Sequence, residues 1–294
     1  MELLPQALVD GIMLGAIYII IAIAFSLVYG VMHVIDFAVG EWIMLGAFVG
    51  FHLQAFTRVD PFLLLPAVFV VFAAVGYLLQ PVIQRVLSGH KGNPLLMGLV
   101  FTFGLSLMFR GLAQTIFGFY SHSTPSRLST GSFFFEKGGF FLTISTVRLA
   151  GLGYAALITG LLHYLLKHTD FGLGVRALAQ HKDAAGLMGV NDRRTSALVY
   201  AIYVGVSAMT GVLIGTILSV SAKMGPEYTI FAFFVVVLAG MGYLAGVPAA
   251  ALLLGVIQSI FLVYLDPGYT LLAVFGVLYL ILLVSPRGLF AKGV

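Results

Sequence analysis

The chain has 294 residues, of which 61% are hydrophobic and only 9% are charged. A soluble globular domain carries charge on about a quarter of its residues, because those side chains cover its surface. The composition therefore excludes an ordinary soluble domain and predicts an all-α polytopic membrane protein, with residues 1–294 forming one transmembrane domain. The net charge of +4 is spread along the chain, which argues against a nucleic-acid-binding groove.

Apolar segments without Asp, Glu, Lys or Arg follow one another along the chain. They are 11–35, 61–84, 92–109, 149–166, 195–222, 228–265 and 267–286. A spanning helix needs about 20 apolar residues, so 228–265 is too long for one helix and is expected to bend at the glycine-rich run 240–246. Residues 41–56 add a shorter apolar segment headed by Glu41. We predict about eight spans, with broken or re-entrant segments near 34–41 and 240–246.

The distribution of Lys and Arg predicts the orientation, because cytoplasmic loops carry an excess of both. Nine lie on one side of the predicted spans: Arg85, Lys91, Lys167, Arg176, Lys182, Arg193, Arg194, Arg287 and Lys292. Six lie on the other side: Arg58, Arg110, Arg127, Lys137, Arg148 and Lys223. This bias predicts a cytoplasmic C-terminus.

Two connections are long enough to form structure of their own. Residues 119–147 are rich in Ser, Thr and Gly and are expected to form an ordered external loop, with a hairpin that turns at Lys137-Gly138-Gly139. Residues 167–194 are expected to form a polar cytoplasmic loop. Within it, 177–188 predicts one short amphipathic helix, bounded by glycines at 172, 174 and 189.

Asp36 and Glu41 are acidic residues between two apolar segments. Charged groups at such a depth usually face a protein interior or a watery cavity. We expect a broken helix with Asp36 near a cap and Glu41 in the first turn of the next helix, where the helix dipole favours negative charge. The break would line a solute path; alternatively, both residues only cap helices at the membrane surface. Arg110 is expected to extend to the interface rather than to contact substrate.

Glycines suggest where helices approach one another closely. Small residues four apart permit such packing in membranes, and three pairs have this spacing: Gly11/Gly15, Gly46/Gly50 and Gly211/Gly215. The run 240–246 could serve the same purpose. As a discontinuous helix, it could instead expose backbone groups that hold the carboxylate and ammonium of a small zwitterion. Both interpretations stay open.

No catalytic cluster, metal site or cofactor site is predicted. The seven histidines show no i, i+4 pair, cysteine is absent, and neither a G-x-S-x-G run nor a phosphate-binding G-x-x-x-x-G-K-[ST] loop occurs. ATP-driven activity would need a separate ATPase subunit. A self-contained secondary transporter or channel, with Asp36 and Glu41 as coupling carboxylates, and a membrane enzyme are the alternatives.

Three segments resemble the LivH-like permeases of ABC transporters for branched-chain amino acids and related small solutes. Residues 35–41 are similar to the Asn-Phe-Ala-His-Gly-Glu signature of that family. The second segment comprises Phe171-Gly172, Arg176-Ala177 and 183–191. The third comprises 238–242, Gly255 and 285–290. Two residues depart from that signature: Asp36 stands in place of Asn, and Val39 stands in place of His. The run Asp36-Phe37-Ala38-Val39-Gly40 is also similar to the Asp-Leu-Ser-Val-Gly run of related sugar permeases.

The resemblance implies an importer subunit that works by alternating access in a bacterial or archaeal cytoplasmic membrane. The implied solute is a branched-chain or other hydrophobic amino acid, or else urea, an amide or an aromatic acid. The implied partners are a second, LivM-like permease, two ATP-binding subunits and a periplasmic substrate-binding protein. Residues expected along the pathway are Asp36, Phe37, Gly40, Glu41, Gly240 and Gly242. Residues expected to meet the ATPase are Arg176, Asp183, Ala184, Ala185, Gly186, Leu187, Met188 and Gly189.

Overall fold

A computed structural model describes residues 3–88, 94–137, 140–286 and 288–290. The helices are α1 (Leu4–Met32), α2 (Val39–Thr57), α3 (Pro61–Ser88), α4 (Pro94–Phe117), α5 (Thr146–His168), α6 (Asp170–Gln180), α7 (Lys182–Leu187), α8 (Asp192–Ile217), α9 (Gly225–Ala239), α10 (Val247–Tyr264) and α11 (Pro267–Val284). The strands are β1 (Ser132–Lys137) and β2 (Phe140–Ser145), and short 3-10 helices cover Arg127–Thr130 and Leu244–Gly246.

Seven helices in the described part of the chain are long and apolar enough to cross a membrane: α1, α2, α3, α4, α5, α8 and α10. Two further apolar helices, α9 and α11, are shorter. The predicted all-α polytopic membrane fold is therefore confirmed. Helices α1 and α8 are the most buried and form the centre, with α1 packed against α10 and α8 packed against α2 and α3.

Glycines make the closest of these helix contacts possible. A Cβ atom on Gly11 of α1 would lie 2.6 Å from the Cα atom of Val256 in α10. A Cβ atom on Gly46 of α2 would lie 2.1 Å from the carbonyl oxygen of Ala208 in α8, and one on Gly211 would lie 1.9 Å from the carbonyl oxygen of Ile43. The predicted role of these glycines in close packing is confirmed.

The bundle has two distinct ends, called here the hairpin end and the α6–α7 end. At the hairpin end, the Gln6 side chain donates to the carbonyl oxygen of Thr143 (3.1 Å) and accepts from the amide of the same residue (2.9 Å). At the α6–α7 end, Lys182 forms an ion pair of 3.0 Å with Asp192, the first residue of α8. These contacts place the start of α1 at the hairpin end and the start of α8 at the α6–α7 end.

The long connections fold partly as predicted. Strands β1 and β2 pair antiparallel, with Ser132 opposite Ser145, which confirms the hairpin; the proposed turn residues Gly138 and Gly139 lie outside the described residues. The prediction of one helix over 177–188 is wrong. The chain forms α6 and α7, because His181 between them has the extended conformation φ −148°, ψ 102°.

Glycine 172 lies inside α6 rather than at its boundary. Its amide donates to the side-chain oxygen of the N-cap residue Thr169 at 3.1 Å. A Cβ atom at this position would lie 2.3 Å from the carbonyl oxygen of Leu166, so glycine lets α6 pack directly on the end of α5. Helix α6 is thereby held against the bundle, while α7 begins beyond it.

We predict that Gly46→Ala lowers the thermal stability of the detergent-solubilised protein, because the new methyl group meets backbone atoms of α8 that cannot rotate away. Overpacking of this kind costs about 1–3 kcal/mol. Gly104→Ala is the matched control, since a Cβ atom there has no heavy atom within 4 Å. The control should unfold at the wild-type temperature or above it, because alanine favours a helix over glycine. Equal unfolding temperatures for the two variants would contradict the close packing of α2 on α8.

Candidate functional site

The helix break predicted near 34–41 lies inside the bundle. Helix α1 ends at Met32, His33 adopts the left-handed conformation (φ 53°), and α2 begins at Val39. The Oγ1 atom of Thr102 accepts from the amide of Phe37 (3.2 Å) and donates to the carbonyl oxygen of Ile35 (3.1 Å). Since Thr102 lies eight residues into α4, this contact is about 12 Å from the start of that helix.

Asp36 fixes the conformation of this break. Its Oδ1 atom accepts from the amide of Ala38 (2.8 Å), and its Oδ2 atom accepts from the hydroxyl of Tyr200 in α8 (2.8 Å). The predicted position near a helix cap is confirmed. The alternative of a cap at the membrane surface is wrong, because Asp36 is fully buried. Asp36 therefore joins the irregular segment to the central helix α8.

Glu41 forms a buried ion pair across the bundle. It lies in the first turn of α2, as predicted, and is fully buried. Its Oε1 atom accepts from Arg110 Nη2 (2.9 Å), Arg110 Nε (3.2 Å) and Ser106 Oγ (3.1 Å), both on α4. The prediction that Arg110 extends to the interface is wrong: its side chain is only 29% exposed and turns inward. A buried carboxylate without a cation is costly, which explains this direction.

The first turns of α2 and α9 cross at backbone contact beside this ion pair. A Cβ atom on Gly40 would lie 1.7 Å from the carbonyl oxygen of Gly225, and one on Gly225 would lie 2.2 Å from Glu41 Oε2. The amide of Gly40 donates to Thr229 Oγ1 at 3.0 Å. The Glu41 carboxylate thus lies against the first residue of α9, where the helix dipole favours negative charge.

Sequence reasoning missed this second helix start. Residues 218–224 between α8 and α9 are not helical, and Gly225, which follows them, contacts Gly40 and Glu41 in the first turn of α2. The available signal is Gly225-Pro226-Glu227, because proline followed by an acidic residue is typical of a first helical turn. The helix start that meets the first break is therefore that of α9 at Gly225.

The predicted break at 240–246 exists but lies elsewhere. Gly240 and Gly242 have φ values of 95° and 85°, which favour glycine. The atoms nearest to a Cβ on Gly242 belong to Tyr29 and Gly30, close to the end of α1. The backbone near Gly240 packs against Gly288, and the amide of Leu289 donates to the carbonyl oxygen of Leu238 (2.8 Å). The structure does not bring Gly240 and Gly242 together with Asp36, Phe37, Gly40 and Glu41.

The predicted coupling residues fall into two places. Asp183, Ala184, Ala185, Gly186 and Leu187 form most of α7, and Met188 and Gly189 follow it; Leu187 and Met188 are 90% and 86% exposed. Arg176 lies apart on α6, where it lines a cavity of about 630 Å³. Ala185 is buried and anchors α7, so the exposed pair Leu187-Met188, called here the α7 tip, projects from the α6–α7 end.

The chain is a polytopic helix bundle that buries two helix starts and a charge pair and exposes an apolar tip. This is the architecture of a membrane permease. The chain matches the family described as branched-chain amino acid transport system permease components over residues 7–284. It therefore belongs to that family.

Named relatives are similar along nearly the whole chain. Two are the high-affinity branched-chain amino acid transport system permease protein LivH of Escherichia coli strain K12 and the corresponding BraD of Pseudomonas aeruginosa, with identities of 28% and 29% over 296 residues. In both alignments 98% of this chain and 95% of the relative are covered. A probable LivH of Methanocaldococcus jannaschii is 24% identical over 98% of this chain and 93% of the relative. No solved structure matches the chain significantly.

We predict that Arg110→Leu is more destabilising than Glu41→Gln. Removing Arg110 leaves a fully buried carboxylate without its cation, which costs about 3–5 kcal/mol, whereas Glu41→Gln leaves an arginine that is partly exposed. The double variant should regain much of the stability that Arg110→Leu loses, because neither charge is then buried without its partner. Denaturant unfolding in detergent measures the three variants as a cycle. If the losses of unfolding free energy in the two single variants add up to the loss in the double variant within about 0.5 kcal/mol, the ion pair is contradicted.

Proposed function

We propose that this chain is the permease subunit of an ABC importer that moves branched-chain or other hydrophobic amino acids across the cytoplasmic membrane by ATP-driven alternating access. The observation that carries this proposal is the family match over residues 7–284, with relatives along nearly the full length that are named for branched-chain amino acid transport. ATP hydrolysis is assigned to a separate subunit.

The α7 tip is the proposed docking site of the ATP-binding subunits. A pair of large apolar side chains that are almost fully exposed on a polar loop is expected to be covered by a partner. Arg193 and Arg194 follow in the first turn of α8. This basic character supports a cytoplasmic position for the α6–α7 end and for the C-terminus.

Movement of α7 has a direct mechanical connection to the buried break. The Lys182–Asp192 ion pair joins the first residues of α7 and α8. Eight residues into α8, about 12 Å along its axis, Tyr200 donates to Asp36. A shift of α7 on ATP binding would therefore act on α8 and then on the 33–38 segment. A switch between two arrangements of that segment is the proposed basis of alternating access.

The solute is proposed to pass beside Phe37, on the face between α4 and α9. The Phe37 ring lies 6.3 Å from the ring of Phe103 on α4 and 6.4 Å from that of Phe233 on α9. Phe37 is half-buried and Phe103 is exposed, so the aromatic surface is open. An apolar amino-acid side chain fits such a surface.

The proposed complex contains a second, LivM-like permease, two ATP-binding subunits and a periplasmic substrate-binding protein. Its first test is affinity purification of the tagged chain from native membranes, followed by an ATPase assay of the material that copurifies. Copurification of an ATPase with leucine-dependent hydrolysis in the presence of the binding protein supports the proposal. A chain that transports leucine in vesicles without any ATPase would overturn it in favour of a secondary transporter.

We predict that changing Leu187 and Met188 together to Asp abolishes the association with the ATPase while the permease stays folded, because these side chains contribute to no core. The control is Phe56→Asp at the end of α2, since Phe56 is 89% exposed but lies at the hairpin end. Copurified ATPase and unfolding temperature are measured for each variant. Normal ATPase recovery with the Asp pair would exclude the α7 tip as the docking site.

A further inference from the structure

A cavity of about 630 Å³ opens at the α6–α7 end, apart from the Phe37 surface proposed for the solute, and Gly242, which was expected along the pathway, lies in its wall. It lies between α1, α5, α6 and the segment that leads into α10. Along α1 it extends from Ile23 to Val31, a distance of about 12 Å. Most of its wall is apolar, being formed by Ile23, Leu27, Val31, Leu166, Val175, Leu244, Ala245 and Pro248.

The polar groups of this cavity are arranged by depth. Lys167 in the last turn of α5 and Arg176 on α6 are both exposed, and they lie at the rim. Deeper in the wall are Ser26 and Thr159, whose hydroxyl groups are buried and have no hydrogen-bond partner among the described residues. The lining contains no Asp or Glu in the described part of the chain.

We propose that this cavity binds an anionic phospholipid, with its phosphate between Lys167 and Arg176 and an acyl chain along α1. Basic pockets between transmembrane helices on the cytoplasmic side are suited to anionic head groups. The buried hydroxyl groups of Ser26 and Thr159, deeper in the wall, can donate to a carbonyl oxygen of such a lipid. The apolar wall beyond them matches a hydrocarbon chain.

The charge pattern distinguishes a lipid from the transported solute. An amino acid carries an ammonium group, which needs an acceptor that is negative or rich in carbonyls. Among the described residues the lining offers Lys167, Arg176 and the imidazole of His163 and no carboxylate, so it favours a ligand with a net negative charge. The cavity also follows α1 for more than two turns, about 12 Å, which suits an extended acyl chain.

The first test uses native mass spectrometry of the purified chain with added phosphatidylglycerol or phosphatidylcholine of identical acyl chains. The wild type should retain phosphatidylglycerol preferentially. Lys167→Gln combined with Arg176→Gln should reduce that retention about tenfold or more, because each cation favours the anionic lipid. The control is Arg193→Gln with Arg194→Gln, which removes the same charge at the same end but outside the cavity. Equal retention of the two lipids by the wild type would overturn the proposal.

A second test locates the lipid, and it does not depend on how the charge variants fold. The chain has no cysteine, so Ala179→Cys places a single thiol on α6 in the cavity wall, and Leu187→Cys places one on the α7 tip. Phosphatidylglycerol should slow labelling of the first thiol by a maleimide severalfold and leave the second unchanged. Slowing by leucine instead would assign the cavity to the solute. Equal labelling rates with and without either molecule would show that the cavity does not hold the lipid.

Discussion

The crossing of α2 and α9 at backbone contact is the constraint on which the rest of the interior depends. Gly40 and Gly225 are so close that neither position has room for a side chain. Because both helices begin at this point, their unpaired amide groups and the positive ends of their dipoles meet inside an apolar bundle. The Glu41 carboxylate supplies the negative charge there, and Arg110 balances it. The Gly40–Gly225 contact, the Glu41 carboxylate and the Arg110 cation therefore depend on one another.

Irregular backbone at this depth is stable because its polar groups find partners in the bundle. Asp36, Thr102 and Thr229 accept or donate at distances of 2.8–3.2 Å from the 33–41 segment. Lipid offers no hydrogen bonds, so such backbone occurs only where protein surrounds it or water reaches it. A segment held by side chains rather than by a continuous helix can be rearranged by exchanging a few hydrogen bonds, which suits a permease that must change conformation.

The sequence predicted the membrane fold, the hairpin, the glycine contacts and the break near Asp36 and Glu41, because each depends on local composition or short spacing. It did not predict the partner of Glu41, since Arg110 is 69 residues away and only the packing of α4 on α2 brings them together. The sequence also suggested that the breaks at 34–41 and 240–246 lie together, which is wrong. The 240–246 run has more glycines than 218–225, but glycine content does not reveal the depth at which a break lies. The one helix predicted over 177–188 was split by the backbone conformation of His181, which propensity alone does not indicate.

The Glu41–Arg110 pair also bears on how the protein is made. Helix α2 leaves the ribosome with an acidic residue at its head, and a charged group is costly inside a membrane until it finds a counter-ion. That counter-ion is synthesised only with α4, and Gly225, which closes over the carboxylate, follows later still. The interior of α2 is therefore completed in the order of translation, α4 before α9.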